Sequence, residues 1–324
     1  MYTVIVLAVG ITSCGHWWQA PTPSDLLHCS FNETDNARYL EAEGHDRQTL
    51  SLPPIQLQLI ASILKLQKPT VVVLFHGGQI LLEPFVGLKH VTIVDAFYPG
   101  AMGGHAIANA VFGVTNRWGK LPYTVYSSNW TQNHNMLEHE MSKDARTYRY
   151  MNTENEYLIL PFGYGLSLTK FNFTASTKNP NNTVYNFHLQ KDVLKNDSFL
   201  LSLDLVLTNV GTAMFQKGDN VVQGYFSPTN VPSITIYPVK QLFSFQRILE
   251  VLPNESRAVL FTVDVMKDLA LVTEEGDRVI EPGEYDLVFT IGDGNVNNLF
   301  IYHLILDGER HVLETFPVVK EAAE

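Results

Sequence analysis

Three short apolar runs constrain the fold of the first hundred residues more than any other feature. They read VIVLAVG, TVVVLF and HVTIVD, and loops rich in glycine, proline or polar residues follow them. Apolar runs without alternation are typical of strands buried on both faces, as in a parallel sheet covered by helices. Between the first two runs, Ile55, Leu59, Ile63 and Leu66 have helical spacing and Pro69 marks the stop. A small-residue helix that Gly113 can cap follows the third run. The order predicts βαβ units with right-handed crossovers.

A different hydrophobic pattern begins near Ser198. Six short runs alternate apolar and polar residues and are separated by turn residues, which is the pattern of an antiparallel sandwich. The polar stretch before them, from Asn172 to Ser198, is interpreted as a linker. We therefore predict a partial parallel α/β domain over residues 1–170, a linker over 171–197 and an all-β sandwich over 198–324.

Composition excludes two classes of partner. The net charge of −11 and the absence of a basic cluster argue against nucleic acid. The most apolar segment, Val4 to Ile11, is far shorter than the roughly 20 residues that a membrane-spanning helix needs, so no membrane partner is expected. This segment has two interpretations, the core of a signal peptide or a buried strand. Its β-branched residues favour the strand.

Two features indicate an oxidising, secretory compartment. Six N-x-S/T acceptor sequences for N-glycosylation occur, at Asn32, Asn129, Asn172, Asn181, Asn196 and Asn254. The only cysteines are Cys14 and Cys29, and a bond between them would close a ring of about 15 residues, which stabilises by roughly 3 kcal/mol. Two free buried thiols are the alternative.

The loop after the first predicted strand carries the most interesting polar residues. It contains YLEAEGHDRQTLSLP, with Glu41 and Glu43 followed by Asp46 and Arg47. Ligands of open α/β sheets bind beyond the carboxyl ends of the strands, where this loop, HGG and DAFYPG should all lie. Loops this long inside a compact domain are usually functional. A solvated acidic loop is the alternative explanation.

Other chemistries fit the sequence poorly. FHGG is similar to an oxyanion-hole turn, but the chain has no G-x-S-x-G nucleophile motif. The segment His134 to Glu140 lacks metal-ligand spacing, and the glycines of PGAMGGHAIA lack phosphate-binding spacing. We expect neither a metal nor a cofactor.

Several motifs taken together resemble a known family. VIVLAVG, EAEGHDRQTLSLPPIQLQLI, VVVLFHGG, FYPGAMGGHAIANAVFG, NRWGKLPYTVY, RTYRY and LPFGYGLSLTKF follow one another as in the second domain of glycoside hydrolase family 3 enzymes. Further on, LTNVGTAMFQKGDNVVQGYF, PVKQLFSFQRI and EPGEYDLVF resemble the fibronectin type III-like domain that ends those enzymes. The resemblance covers nearly the whole chain and is closer to the β-xylosidase branch than to the β-glucosidase branch.

The resemblance implies a retaining β-glycosidase. In this family a TIM barrel supplies the aspartate nucleophile and the second domain supplies the acid/base glutamate. The family's E-G-x-D-R pattern falls on Glu43, with Glu41 as the runner-up. Gly44 would allow a sharp turn, and an ion pair of Asp46 with Arg47 would hold the loop. Candidate sugar contacts are Trp17, Trp18, His45 and His76.

Two departures from the family matter. The loop from Thr12 to Tyr39 is longer than expected, and Asp95-Ala96 stands where the family has an aromatic or small apolar pair.

A barrel of about 250 residues cannot precede Met1. We therefore expect this chain to be the carboxyl-terminal part of a secreted enzyme that acts on xylan or β-glucan fragments. The missing barrel would carry the signal peptide, and the chain alone is expected to be inactive. The alternative is a non-catalytic carbohydrate-binding or adhesive protein.

Overall fold

The computed structural model of the chain describes residues 4–11, 47, 49–135, 137–189, 200–212 and 217–317. The chain divides into two compact units. The first unit comprises Met1–Val114, Val125–Leu137 and Glu156–Ile159. The second comprises Thr115–Thr124, Glu138–Asn155 and Leu160–Glu324.

A parallel sheet forms the centre of the first unit. Its three strands, in spatial order, are β1 (Ile5–Gly10), β2 (Thr70–Phe75) and β3 (Val91–Asp95). All pairings are parallel, with Gly10 opposite Phe75 and Leu74 opposite Asp95. The central strand is almost fully buried, which explains its unbroken apolar sequence. The predicted parallel α/β arrangement is confirmed.

Three helices accompany this sheet: α1 (Pro54–Leu64), α2 (Gly103–Val111) and α3 (Ser128–Asn133). Pro54 suits the first turn of α1, where its missing N–H costs no hydrogen bond. Gly113 follows α2 with φ at 70°, a conformation that glycine adopts without strain. No helix within the described ranges is long and apolar enough to span a bilayer.

The buried side of α1 differs from the predicted stripe. Ile60 is buried, whereas Ile55 and Leu59 are 71% and 48% exposed. The apolar spacing therefore predicted the helix correctly but not the side that packs against the unit, because periodicity does not say which apolar residues find partners.

The second unit is a β-sandwich. Its strands are β6 (Phe171–Ala175), β7 (Val184–Leu189), β8 (Leu200–Asn209), β9 (Gly218–Asn230), β10 (Gln241–Val251), β11 (Ser256–Asp264), β14 (Gly283–Thr290) and β15 (Leu299–Gly308). The larger sheet has the order β10-β9-β14-β15-β7 and the smaller sheet the order β11-β8-β6.

Short elements complete both units. A small sheet contains β12 (Leu271–Val272), β13 (Arg278–Ile280) and β16 (His311–Glu314). A two-stranded sheet contains β4 (Val125–Tyr126) and β5 (Leu158–Leu160). The remaining helical turns are α4 (Thr147–Tyr150), α5 (Val265–Asp268) and a 3-10 turn (Val296–Asn298).

The sandwich core contains side chains from both sheets. Phe173, Leu205 and Phe261 of the smaller sheet and Phe226 and Phe289 of the larger sheet are almost completely buried. The rings of Phe261 and Phe289 lie 4.9 Å apart in a tilted arrangement, which aromatic pairs prefer to face-to-face stacking. Aromatic packing therefore joins the two sheets.

Residues 171–197 were predicted to be a linker, and the structure corrects this. Phe171–Ala175 and Val184–Leu189 are strands of the two sheets, and both Phe171 and Phe173 are buried. Three acceptor sequences and several polar residues made this stretch resemble a linker. The buried phenylalanines alternate with exposed residues, so the strand signal was present but short.

One strand pair also departs from the predicted antiparallel pattern. β7 runs parallel to β15, with Val184 opposite His303 and Leu189 opposite Gly308. The preceding strand, β6, belongs to the smaller sheet. The chain thus crosses between sheets before β7, and a crossover permits the parallel direction that a tight hairpin excludes.

Candidate active site

Three strand ends define one edge of the parallel sheet. β1, β2 and β3 end at Gly10, Phe75 and Asp95, and their parallel direction brings these ends together. The long loop, the HGG turn and the DAFYPG turn begin there. This is the edge at which ligands of open α/β sheets bind.

The end of β1 is closely packed. A Cβ atom at Gly10 would lie 2.0 Å from the backbone oxygen of Phe75, so no larger residue fits there. Beside it is a cleft of about 410 Å³ lined by Ala8–Ile11, Pro53, Gln56 and Phe75. This lining contains one side-chain amide and no ionisable group, so the cleft offers space but no acid or base.

His76 is held in the interior at the end of β2. Its side chain is 1% exposed, with Nε2 2.9 Å from Oδ1 of Asp95 and Nδ1 3.0 Å from the backbone oxygen of Gly78. The ring also lies 5.2 Å from that of Phe97, a residue with φ at 50°. We predicted a sugar contact for His76, but the structure gives it buried protein partners instead.

Arg47 returns the chain to the same edge. Its Nη2 donates a hydrogen bond to the backbone oxygen of Gln79, the residue after the HGG turn. The side chain of Gln79 bonds both backbone groups of Tyr126, at 2.6 Å and 3.0 Å. Arg47 therefore has the position of a loop anchor, and its predicted ion pair with Asp46 stays a prediction because Asp46 lies outside the described residues.

An aromatic cluster that sequence reasoning missed lies beyond Tyr126. Trp130 and His134 stack 4.5 Å apart, and Tyr126 and Tyr157 flank them at 4.6 Å and 5.4 Å. Glu83 supports the helix start by accepting a hydrogen bond of 2.7 Å from the backbone N of Ser128. The four-residue spacing of Trp130 on α3 and His134, which directly follows that helix, was the available signal, because residues four apart lie close together at a helix end.

Many predicted site residues lie outside the described residues. These are both candidate acids, the neighbouring loop residues, the tryptophans, both cysteines and two acceptor asparagines, namely Glu41, Glu43, Gly44, His45, Asp46, Trp17, Trp18, Cys14, Cys29, Asn32 and Asn196. The other four acceptor asparagines, Asn129, Asn172, Asn181 and Asn254, are exposed. Among the residues described, no three His, Cys, Asp or Glu side chains are grouped to hold a metal.

Comparison with known proteins identifies both parts of the chain. Residues 12–168 match the glycosyl hydrolase family 3 C-terminal domain, and residues 220–290 match the fibronectin type III-like domain. A probable exo-1,4-beta-xylosidase, xlnD, of Neosartorya fischeri is 30% identical over 286 residues, which are 86% of this chain and 36% of that protein.

A beta-xylosidase/alpha-L-arabinofuranosidase 2 of Medicago sativa subsp. varia is 32% identical over 265 residues, 76% of this chain and 33% of that protein. The chain thus spans about a third of the length of the curated relatives it matches.

Solved structures agree on the fold. A GH3 exo-beta-xylosidase (XlnD) in complex with a xylobiose aziridine probe matches 87% of this chain and 36% of its own, with a TM-score of 0.72 and 26% identity. A beta-glucosidase from Kluyveromyces marxianus covers 96% of this chain and 32% of its own, with a TM-score of 0.69 and 22% identity, which bears on the fold alone. The chain belongs to glycosyl hydrolase family 3 and carries its C-terminal domain and fibronectin type III-like domain.

Proposed function

We propose that this chain is the carboxyl-terminal part of a retaining β-glycosidase that removes terminal β-xylosyl or β-glucosyl residues from oligosaccharides. In this proposal its loop delivers the acid/base carboxyl group, Glu43, to a sugar bound in a TIM barrel. The relatives are named as xylosidases, which supports a xyloside more than a glucoside.

The single observation that carries this proposal is the hydrogen bond from Arg47 to Gln79. It anchors the chain at the carboxyl edge of the sheet, four residues after Glu43. Four residues extend at most about 14 Å, so a carboxyl group at position 43 has this edge within its reach. The resemblance assigns the acid to the same position.

The chemistry needs two carboxyl groups about 5–5.5 Å apart across the scissile bond. The barrel's aspartate attacks the anomeric carbon while the protonated Glu43 gives its proton to the departing oxygen. The resulting carboxylate then accepts a proton from water, which breaks the glycosyl-enzyme ester and regenerates both groups. The substrate and the barrel are therefore the partners that this proposal requires.

Secretion belongs to the same proposal. Four acceptor asparagines are exposed, so the folded surface has room for glycans at each. Expression through a eukaryotic secretory pathway should yield a chain whose mass falls on treatment with an N-glycan amidase. An unchanged mass would count against secretion.

Replacement of the acid tests the catalytic proposal in a protein that joins this chain to a family barrel. Glu43→Gln should lower turnover of unactivated β-xylosides by about 100- to 10,000-fold, the usual contribution of acid/base catalysis. Glu43→Ala should recover turnover of an activated aryl xyloside when azide is added, because azide attacks the intermediate without a base.

Glu41→Gln is the matched control, since it removes a carboxyl group two residues away on the same loop. It should retain turnover. A large loss in Glu41→Gln with little loss in Glu43→Gln would move the role to Glu41. Glycan binding without turnover in the joined protein would favour the non-catalytic alternative.

A further inference from the structure

His76 and Asp95 join two neighbouring loops at the carboxyl edge. His76 begins the turn after β2, and Asp95 ends β3 before the turn at Phe97. Their contact of 2.9 Å spans 19 sequence positions in a place where His76 is fully buried. Asp95 was also the residue at which the sequence departed from the family resemblance.

Both ring nitrogens of His76 lie close to oxygen atoms. The backbone oxygen of Gly78 has no proton to give, so Nδ1 at 3.0 Å must carry one. Nε2 lies 2.9 Å from Oδ1 of Asp95, which belongs to the neighbouring strand end. The ring thus contacts the turn after β2 on one side and the end of β3 on the other.

We propose that the buried contact between His76 and Asp95 positions the turn from His76 to Gln79, and through Arg47 the point at which the chain leaves the candidate acid. This inference rests on the proposed function only for the identity of the acid. His76 and Asp95 are positioning residues in this account, because neither needs to touch the sugar.

The contacts form a continuous series. Nδ1 of His76 holds the oxygen of Gly78, and the next residue, Gln79, accepts from Arg47 and bonds both backbone groups of Tyr126. A displaced turn would therefore displace the anchor of the loop. Errors of about 1 Å in the position of a catalytic group can cost about 100-fold in rate.

Nitrogen NMR of the 324-residue chain tests the pair without any activity. The ring nitrogen signals of His76 should move in Asp95→Asn, because the carboxylate 2.9 Å from Nε2 is replaced by an amide. Unchanged ring signals in this variant would overturn the contact. Asp286→Asn is the matched control, because it removes the carboxylate that lies 2.7 Å from Nδ1 of His303 in the sandwich.

Hydrogen exchange tests the positioning. Asp95→Asn should speed exchange of backbone amides in residues 76–81 by about tenfold while α1 and the sandwich remain unchanged. His76→Asn provides a second variant, since its amide can still donate to Gly78 but cannot reach Asp95. Unchanged exchange in the turn of both variants would overturn the positioning role.

Activity measurements on the protein joined to a barrel distinguish a positioning role of the pair from a general loss of folded enzyme. Asp95→Asn should lower kcat by about 10- to 100-fold on xylosides with poor leaving groups, and little on dinitrophenyl xyloside, whose departure needs no acid. Equal losses on both would contradict the proposal. If the unaltered joined protein turns over neither substrate, the proposed function fails, and the NMR and exchange results still decide the pair.

Discussion

Gln56 illustrates how one side chain completes the hydrogen bonding of a strand end. Its amide oxygen accepts from Gly10 N at 2.9 Å, and its amide nitrogen donates to Gly10 O at 2.8 Å. These are the two bonds that a neighbouring strand would make, and buried backbone groups require such partners. The amide thereby ties the start of α1 to the end of β1, where the long loop begins.

Lys120 is the residue whose charge state gives the clearest pH prediction. Burial lowers its pKa from 10.5 to about 8, while nearby Asp293 acts in the opposite direction. Its Nζ donates to the backbone oxygen of Gly165 at 2.5 Å. The folded chain therefore releases this proton at a lower pH than the unfolded chain does.

Stability should rise with pH where the unfolded state holds more protons, which for Lys120 is from about pH 8 to about pH 10.5. We compare the free energy of unfolding of the unaltered chain with that of Lys120→Met. The difference, unaltered chain minus variant, should increase by roughly 2–3 kcal/mol across this window. Urea unfolding at several pH values measures this difference. A difference that stays constant across the window would contradict the buried, easily deprotonated lysine.

Lys143→Met serves as the control for this measurement. Lys143 is exposed, and its hydrogen bond with Glu138 raises its pKa. A lysine whose pKa is raised in the folded chain stabilises that chain while it is charged, and this stabilisation is lost as the pH rises through the raised pKa. This variant should therefore show no increase in the difference between pH 8 and pH 10.5.

Among the elements, β6 and β7 best illustrate how a polar stretch can belong to a core. β6 places Phe171 and Phe173 among the buried residues of the sandwich, with Asn172 exposed between them. The backbone N of Phe173 donates to the side chain of Asn298 at 2.8 Å. A segment with such contacts contributes to stability, which a flexible linker does not.

The contribution of β6 can be measured by truncation. Phe173→Ala should lower the free energy of unfolding of the sandwich by about 3–5 kcal/mol, through lost burial and a cavity. Asn172→Ala, on the exposed side of the same strand, should change it by less than about 0.5 kcal/mol. Urea unfolding followed by a probe in the sandwich gives both values. Similar small effects of the two substitutions would restore the linker interpretation.

For the molecule as a whole, we predict that the 324-residue chain by itself hydrolyses aryl β-xyloside and β-glucoside at no substantial rate. General acid catalysis alone supplies only about 100- to 10,000-fold in rate. The proposed mechanism also needs a carboxylate nucleophile, which it assigns to the barrel and not to this chain. Release of nitrophenol from the purified chain is the measurement. Robust turnover that Glu43→Gln abolishes would mean that the chain is catalytically complete.

The sequence by itself determined the class of each unit. Continuous apolar runs predicted β1, β2 and β3, and alternating runs predicted six of the sandwich strands, because hydrophobic period is a local property of each segment. Motif order also predicted the family, which the comparisons confirm. The assignment of the acid to Glu43 remains a prediction.

Tertiary structure alone decided which distant residues meet. The parallel direction of β7 depends on a crossover between sheets, and the pairing of His76 with Asp95 depends on the register of β2 against β3. The bond from Arg47 to Gln79 likewise joins positions 32 residues apart. Local propensity carries no information about such contacts, since they follow from how the sheet aligns its strand ends and how the loops pack upon them.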